Sequence, residues 1–112
     1  MHRITVDREP NATVVTASGE LDAYVAPDLA DAFGSVPADT GLAVDLVAVS
    51  FLDSTALGLI VKAVREVARR GREVRVVLPQ GSARRIFEIT TLDRVLPVAE
   101  SRERALAELH GR

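Results

Sequence analysis

Residues 42–71 read LAVDLVAVSFLDSTALGLIVKAVREVARRG, and two periodicities meet inside them. Leu42-Ala43-Val44-Asp45-Leu46 is apolar at nearly every position, as a strand covered on both faces must be. From Thr55 to Arg70 the apolar residues Leu57, Ile60, Val61, Val64, Val67 and Ala68 recur at steps of three and four, which predicts an amphipathic helix. Its polar side carries Lys62, Arg65, Glu66 and Arg69, with Glu66 placed to pair with Arg70, and Gly71 ends it. A buried strand followed at once by a long helix is the repeating element of an α/β sheet with right-handed crossovers.

The same reading extends in both directions. Ile4 and Val6 alternate with polar neighbours, Arg8-Glu9-Pro10-Asn11 supplies a turn, and Thr13-Val14-Val15-Thr16-Ala17 has strong β character, so an antiparallel hairpin opens the chain. Between Tyr24 and Phe33, Val25, Leu29, Ala32 and Phe33 fall at helical spacing, with Pro27 near the start and Gly34 at the end. Residues 35–41 are turn chemistry. Downstream, Val74 to Leu78 is a strand, Ser82 to Thr90 a short helix with Ile86, Phe87 and Ile89 as its apolar members, and Val95 to Val98 a short edge strand that tolerates Pro97. Ser101 caps a last helix whose Ala105, Leu106 and Leu109 face inward. The expected fold is a mixed, mostly parallel β-sheet with an N-terminal hairpin and about four helices packed against it.

Composition narrows the functional classes. At 112 residues, 47% of them apolar, the chain suffices for one core and is expected to be a single domain over 1–112. The absence of Cys removes disulfides, thiolate metal sites and cysteine nucleophiles, and fits a reducing, cytoplasmic setting. The charged start MHRITVDREP is no signal peptide, and no apolar run is long enough to span a bilayer, so no membrane is expected. Net charge -2, three Phe, one Tyr and no Trp argue against direct nucleic-acid binding. The charge is unevenly spread: residues 1–56 hold 2 Arg against 9 acids, whereas residues 57–112 hold 12 basic against 7 acidic side chains. Such an asymmetry steers a charged protein partner more than it affects folding.

The chemistry concentrates in Phe51-Leu52-Asp53-Ser54-Thr55-Ala56-Leu57-Gly58, between the buried strand and the head of the long helix. A hydroxyl or carboxylate there has two available jobs. Asp53, Ser54 or Thr55 can cap a first-turn amide, worth about 1 kcal/mol. Alternatively, Ser54 is an exposed phosphoacceptor, because a phosphate at a helix N-terminus gains the macrodipole and free amides. The added charge of about -1.5 to -2 beside Asp53 would repel a partner presenting a carboxylate or an apolar surface.

Gly19-Glu20-Leu21-Asp22 after an early strand, together with Val44-Asp45-Leu46 running through Val49-Ser50-Phe51-Leu52-Asp53-Ser54-Thr55-Ala56-Leu57-Gly58, resembles a STAS domain of the anti-sigma factor antagonist type. The similarity of element order and length covers essentially the whole chain. It implies a bacterial partner-switching protein that, unphosphorylated, binds an anti-sigma factor and frees a sigma factor for transcription. It also implies that the anti-sigma factor is a serine kinase which inactivates the antagonist, and that a phosphatase reverses the mark. The family's phosphoacceptor falls on Ser54, its preceding acid on Asp53 and its following hydroxyl on Thr55, a secondary phosphorylation candidate expected to be a buried first-turn residue. Asp22 matches an acid that helps the kinase engage, and it can equally be a loop carboxylate or cap of the first helix. The expected partner surface comprises Asp22, Asp53, Ser54 and Thr55, with Ala56 and Leu57 contributing contact area. One position departs from the family pattern: Ala56 stands where the family has Gly, and alanine suits a helix interior better than a special turn.

No catalytic residue, cofactor or metal is called for. The chain has no His placed with a nucleophile, no glycine-rich phosphate loop and no acidic metal cluster. His2 and His110 lie near opposite ends without ligand spacing. A receiver-like phosphoaspartate domain built on Asp53 would need an acidic pair after the first strand and a late Lys, but the only Lys is Lys62. A STAS scaffold or sensor subunit that binds constitutively stays open, and would be indifferent to charge at Ser54. A ligand-binding domain would need a concave apolar pocket that this reading does not predict. Arg65, Arg69 and Arg72 form a basic stripe, with Arg84-Arg85 as a second patch, either solvated or facing an acidic partner.

Overall fold

The computed structural model describes residues 1–109. The hairpin is formed by β1 (His2–Glu9) and β2 (Ala12–Leu21), antiparallel, with Glu9 opposite Ala12 across the Pro10-Asn11 turn. Proline's fixed φ suits the first turn position. From there pairing is parallel, β2 with β3 (Gly41–Leu52), β3 with β4 (Val74–Val77) and β4 with β5 (Val98–Ala99), in the order β1-β2-β3-β4-β5. Right-handed crossovers that all step in one direction lay their helices on one face. That face carries α1 (Ala26–Gly34), α2 (Ser54–Arg69), α3 (Arg85–Ile89) and α4 (Leu92–Val95). The main core lies beneath them, with Leu29, Ile60, Val64 and Phe87 in one apolar cluster with Val15, Val44 and Val76. α5 (Arg102–Glu108) leads to no further strand and covers the opposite face, where Ala105 and Leu109 join a smaller cluster with Val14, Ala43 and Val77. The mixed, mostly parallel α/β sheet is the one expected, with five α-helices among the described residues where about four were anticipated.

The third strand continues to Leu52 instead of ending at Leu46. Its register against β2 shifts twice, between Thr16 and Ser18 and between Gly19 and Glu20, each time lodging an additional residue in β3. Bulges disturb the two-residue alternation. Val47 and Phe51 therefore face solvent, 46% and 51% exposed, while Val49 and Leu52 stay buried. Gly19 takes φ +79 at the second shift, and a Cβ there would fall 2.0 Å from the Met1 carbonyl oxygen.

Three further expectations are corrected. The Ser82–Thr90 helix is a 3-10 turn, Gly81–Arg84, followed by α3, and only Phe87 of its three apolar members is fully buried, Ile89 being 73% exposed. Thr91, with φ 59, breaks the chain out of α3 and into α4. Val95 ends α4 rather than starting a strand. Pro97 forces Leu96 into extended backbone, ψ 150, and only then can Val98 join the sheet. Glu66 pairs with Arg69, not Arg70, because Arg70 is already the C-cap where the helix turns away. Gly71 takes φ +78 just beyond it, the left-handed ending expected.

One polar cluster pins α5 to its face of the sheet. Asp45, 4% exposed, accepts from Arg102 Nη1 at 3.2 Å and from the Val47 amide at 3.0 Å. The same Arg102 nitrogen donates to Thr16 Oγ1 at 2.8 Å. A carboxylate inside a strand is thus satisfied on both oxygens, and the cation that does so anchors α5.

Candidate functional site: the head of helix α2

Asp53 decides the local geometry. Extended at φ -99 and ψ -178, it is the N-cap of α2, and its Oδ1 accepts from the Ala56 amide at 3.0 Å. Its Oδ2 accepts from the Ala23 amide at 2.9 Å, across thirty positions of sequence. Its own amide donates to the Leu21 carbonyl at 3.1 Å, and its carbonyl accepts from the Leu57 amide at 3.0 Å. Every polar group of the residue is thereby used, and the loop after β2 is fixed to the first turn of α2. Capping, the simpler of the two jobs open to this stretch, belongs to Asp53 and leaves both following hydroxyls available.

Ser54 is the first residue of α2 and is exposed, and its hydroxyl makes no hydrogen bond among the described residues. Helix geometry leaves the amides at this end without intrahelical partners, so the hydroxyl stands at the positive pole of a 16-residue helix. Thr55 is also exposed, which corrects its expected burial: at the second helical position its side chain points away from the sheet. Ala56 and Leu57 go the other way. At 0% and 8% exposure they belong to the core and offer a partner no appreciable area, because the helical turn that exposes 54 and 55 aims 56 and 57 at the sheet.

Asp22 lies beside this ledge and builds its own loop. Oδ1 accepts from the Tyr24 amide at 3.0 Å and the Val25 amide at 3.2 Å, while its carbonyl accepts from Val25 at 3.0 Å. The carboxylate is therefore structural, the alternative already open to it, and it is also half-buried rather than hidden, so its charge reaches the site. The Ala23–Asp53 hydrogen bond sets the Asp22 loop beside Asp53, Ser54 and Thr55, and Ala56 and Leu57 support them from below.

Three features were missed in the sequence. The second contact of Asp53 depends on a loop thirty residues away and has no local signal. Tyr24, 89% exposed on the Asp22 loop, and Phe51, 51% exposed at the end of β3, add apolar rims. As the only Tyr and one of three Phe they stood out in composition, but an aromatic in an apolar stretch reads first as core. Phe51 also lines an open groove of about 370 Å³ with Ile86, Ile89 and Arg85. His2 faces Asp28 at 3.6 Å on the far side of α1 from this site; His110 lies outside the described residues.

Comparison with known proteins points the same way. The STAS domain family model matches residues 3–105. The anti-sigma-B factor antagonist of Listeria monocytogenes is 32% identical over 94 residues, 82% of this chain and 82% of the relative. The crystal structure of an anti-sigma factor antagonist from Mycobacterium paratuberculosis superposes with a TM-score of 0.85 at 32% identity, covering 97% of this chain and 94% of that one. The Bacillus cell fate determinant SpoIIAA in its phosphorylated form shares the fold, with a TM-score of 0.65 at 21% identity over 94% of this chain and 97% of that one.

Proposed function

The chain belongs to the STAS domain family, and from that premise we propose that it is an anti-sigma factor antagonist switched by phosphorylation of Ser54. In this reading the unphosphorylated protein binds an anti-sigma factor that is also a serine kinase, and a sigma factor is released. The protein acts in the cytoplasm as a binding module over residues 1–112, without catalysis of its own. The observation that supports it best is the unused Ser54 hydroxyl on the ledge that Asp53 builds, beside Asp22. The relatives named as anti-sigma factor antagonists and the fold shared with a phosphorylated protein support the same assignment.

In this reading the switching step uses that hydroxyl. Ser54 Oγ attacks the γ-phosphorus of the kinase's ATP, the anhydride bond to ADP breaks, and the hydroxyl proton passes to a base on the kinase. The product has a phosphate at a helix N-terminus, where the macrodipole favours it by about 0.3–1 kcal/mol, so the fold tolerates the mark. The partner does not, because a charge of about -2 now stands next to the carboxylates of Asp53 and Asp22. A phosphatase acting on phospho-Ser54 restores binding. Thr55, equally open, is the secondary acceptor.

The test is capture of partners from lysate of the native organism on wild-type, Ser54→Ala and Ser54→Asp baits, with mass spectrometry of what is bound. An anti-sigma kinase held by the first two and lost by the third is the expected result. Equal capture by all three would replace the switch with a constitutive scaffold.

A further inference from the structure

Ser54, Gly58, Lys62, Arg65 and Arg69 follow one another at steps of three and four, with Val61 beside Lys62, so a single strip of α2's surface runs from the hydroxyl toward the helix's C-terminal end. All six, joined by Leu57, by Glu66 and by Leu92 of α4, line an open trough of about 560 Å³. Two observations mark it. Lys62 and Arg65 are exposed and form no ion pair among the described residues, whereas Arg69 is paired with Glu66. Gly58 sits in mid-helix at ordinary negative φ, and a Cβ added to it would meet nothing within 4 Å. Neither packing nor backbone therefore requires glycine there, although it costs a helix about 1 kcal/mol relative to alanine. An absent side chain between an apolar floor and two unpaired cations is the relief that a closely approaching backbone uses.

We infer that this face of α2 docks an acidic helical segment of the partner, which crosses close over Gly58 and sets its carboxylates against Lys62 and Arg65. The identity of that partner as an anti-sigma kinase rests on the function proposed above; the surface itself does not. Ser54 heads the same line, about 6 Å along the axis from Gly58, which is within the screening length of about 8 Å at physiological salt. Lys62 and Arg65 lie about 12 and 16 Å from Ser54 along the axis, so a phosphate there acts on the segment where it crosses Gly58 rather than on the carboxylates set against the two cations, and docking and switching share one strip of surface. Nucleic acid is the weaker occupant, since Asp22 and Asp53 stand at the head of the strip and the net charge is -2.

The experiment is an NMR titration of the full-length, isotope-labelled protein with two blocked alanine-based helical peptides, one carrying Glu at every fourth position and the other Lys at the same positions. The Glu peptide should shift the amides of Gly58, Lys62 and Arg65, and the Lys peptide should leave them unmoved. Lys62→Glu with Arg65→Glu should weaken the Glu peptide by about tenfold, as should Gly58→Leu by filling the relief; the exposed positions leave the fold intact. Absence of shifts, shifts centred elsewhere, or shifts that survive the charge reversal would overturn the inference. Larger shifts at these residues from a DNA duplex than from the Glu peptide would also overturn it, in favour of nucleic acid. Because the unphosphorylated protein and a synthetic segment are used, the outcome is independent of whether Ser54→Asp releases a kinase from the bait.

Discussion

Asp53 is one carboxylate with two masters, the Ala56 amide and the Ala23 amide. A cap is worth about 1 kcal/mol and a second hydrogen bond about as much again, so Asp53→Ala should lower stability by about 2 kcal/mol in urea unfolding. Asp53→Asn keeps one acceptor oxygen but must turn an NH₂ toward the other amide, and it should lie between the two. Only the cap was legible beforehand, because capping is a local rule and the tie to Ala23 is a tertiary contact. The exposure of Thr55 was misjudged for a related reason: whether the first turn's second residue faces in or out depends on the angle at which the helix leaves the sheet, and Asp53 sets that angle.

At the level of elements, α2 holds two small residues with opposite parts to play. Ala56, wholly buried in the first turn, supplies a methyl group to the core. Ala56→Gly should therefore cost about 1 kcal/mol or somewhat more, seen as a lower denaturation midpoint and faster amide exchange in that turn. Gly58→Ala, facing open space, should instead raise stability by about 0.5–1 kcal/mol in the same assay. This helix was readable from its periodicity to within one residue at each end, since its apolar stripe is unbroken. β3 was readable only as far as Leu46, because the bulges that carry it on to Leu52 are made by pairing with β2 and leave no alternation to find. The segment from Gly81 to Val95 was blurred likewise: its break at Thr91 is a threonine in a left-handed conformation, which no propensity rule anticipates.

For the whole molecule, the charge asymmetry counted along the chain becomes a spatial one. Acids of the first half sit on the hairpin, on α1 and around Asp22, and Lys62 and Arg65, unpaired among the described residues, lie on α2. The sheet is covered just as unequally. Among the described residues four helices lie over one face, but a single helix of 7 residues lies over the other, held by Ala105, by Leu109, by Arg102 on buried Asp45 and by Glu108 on Arg75 at 3.0 Å. Arg102→Ala leaves Asp45 without its cation, and should cost about 1–3 kcal/mol in thermal or urea unfolding. Native-state hydrogen exchange should show α5 opening below the global free energy, ahead of α2. Detachment bares Val14, Ala43 and Val77, a strip of β-branched and small apolar residues on three adjoining strands that suits intermolecular stacking. Lesions in this helix would therefore register as turnover by proteases and loss into aggregates, lowering the number of molecules in the cell while each survivor still recognised its partner.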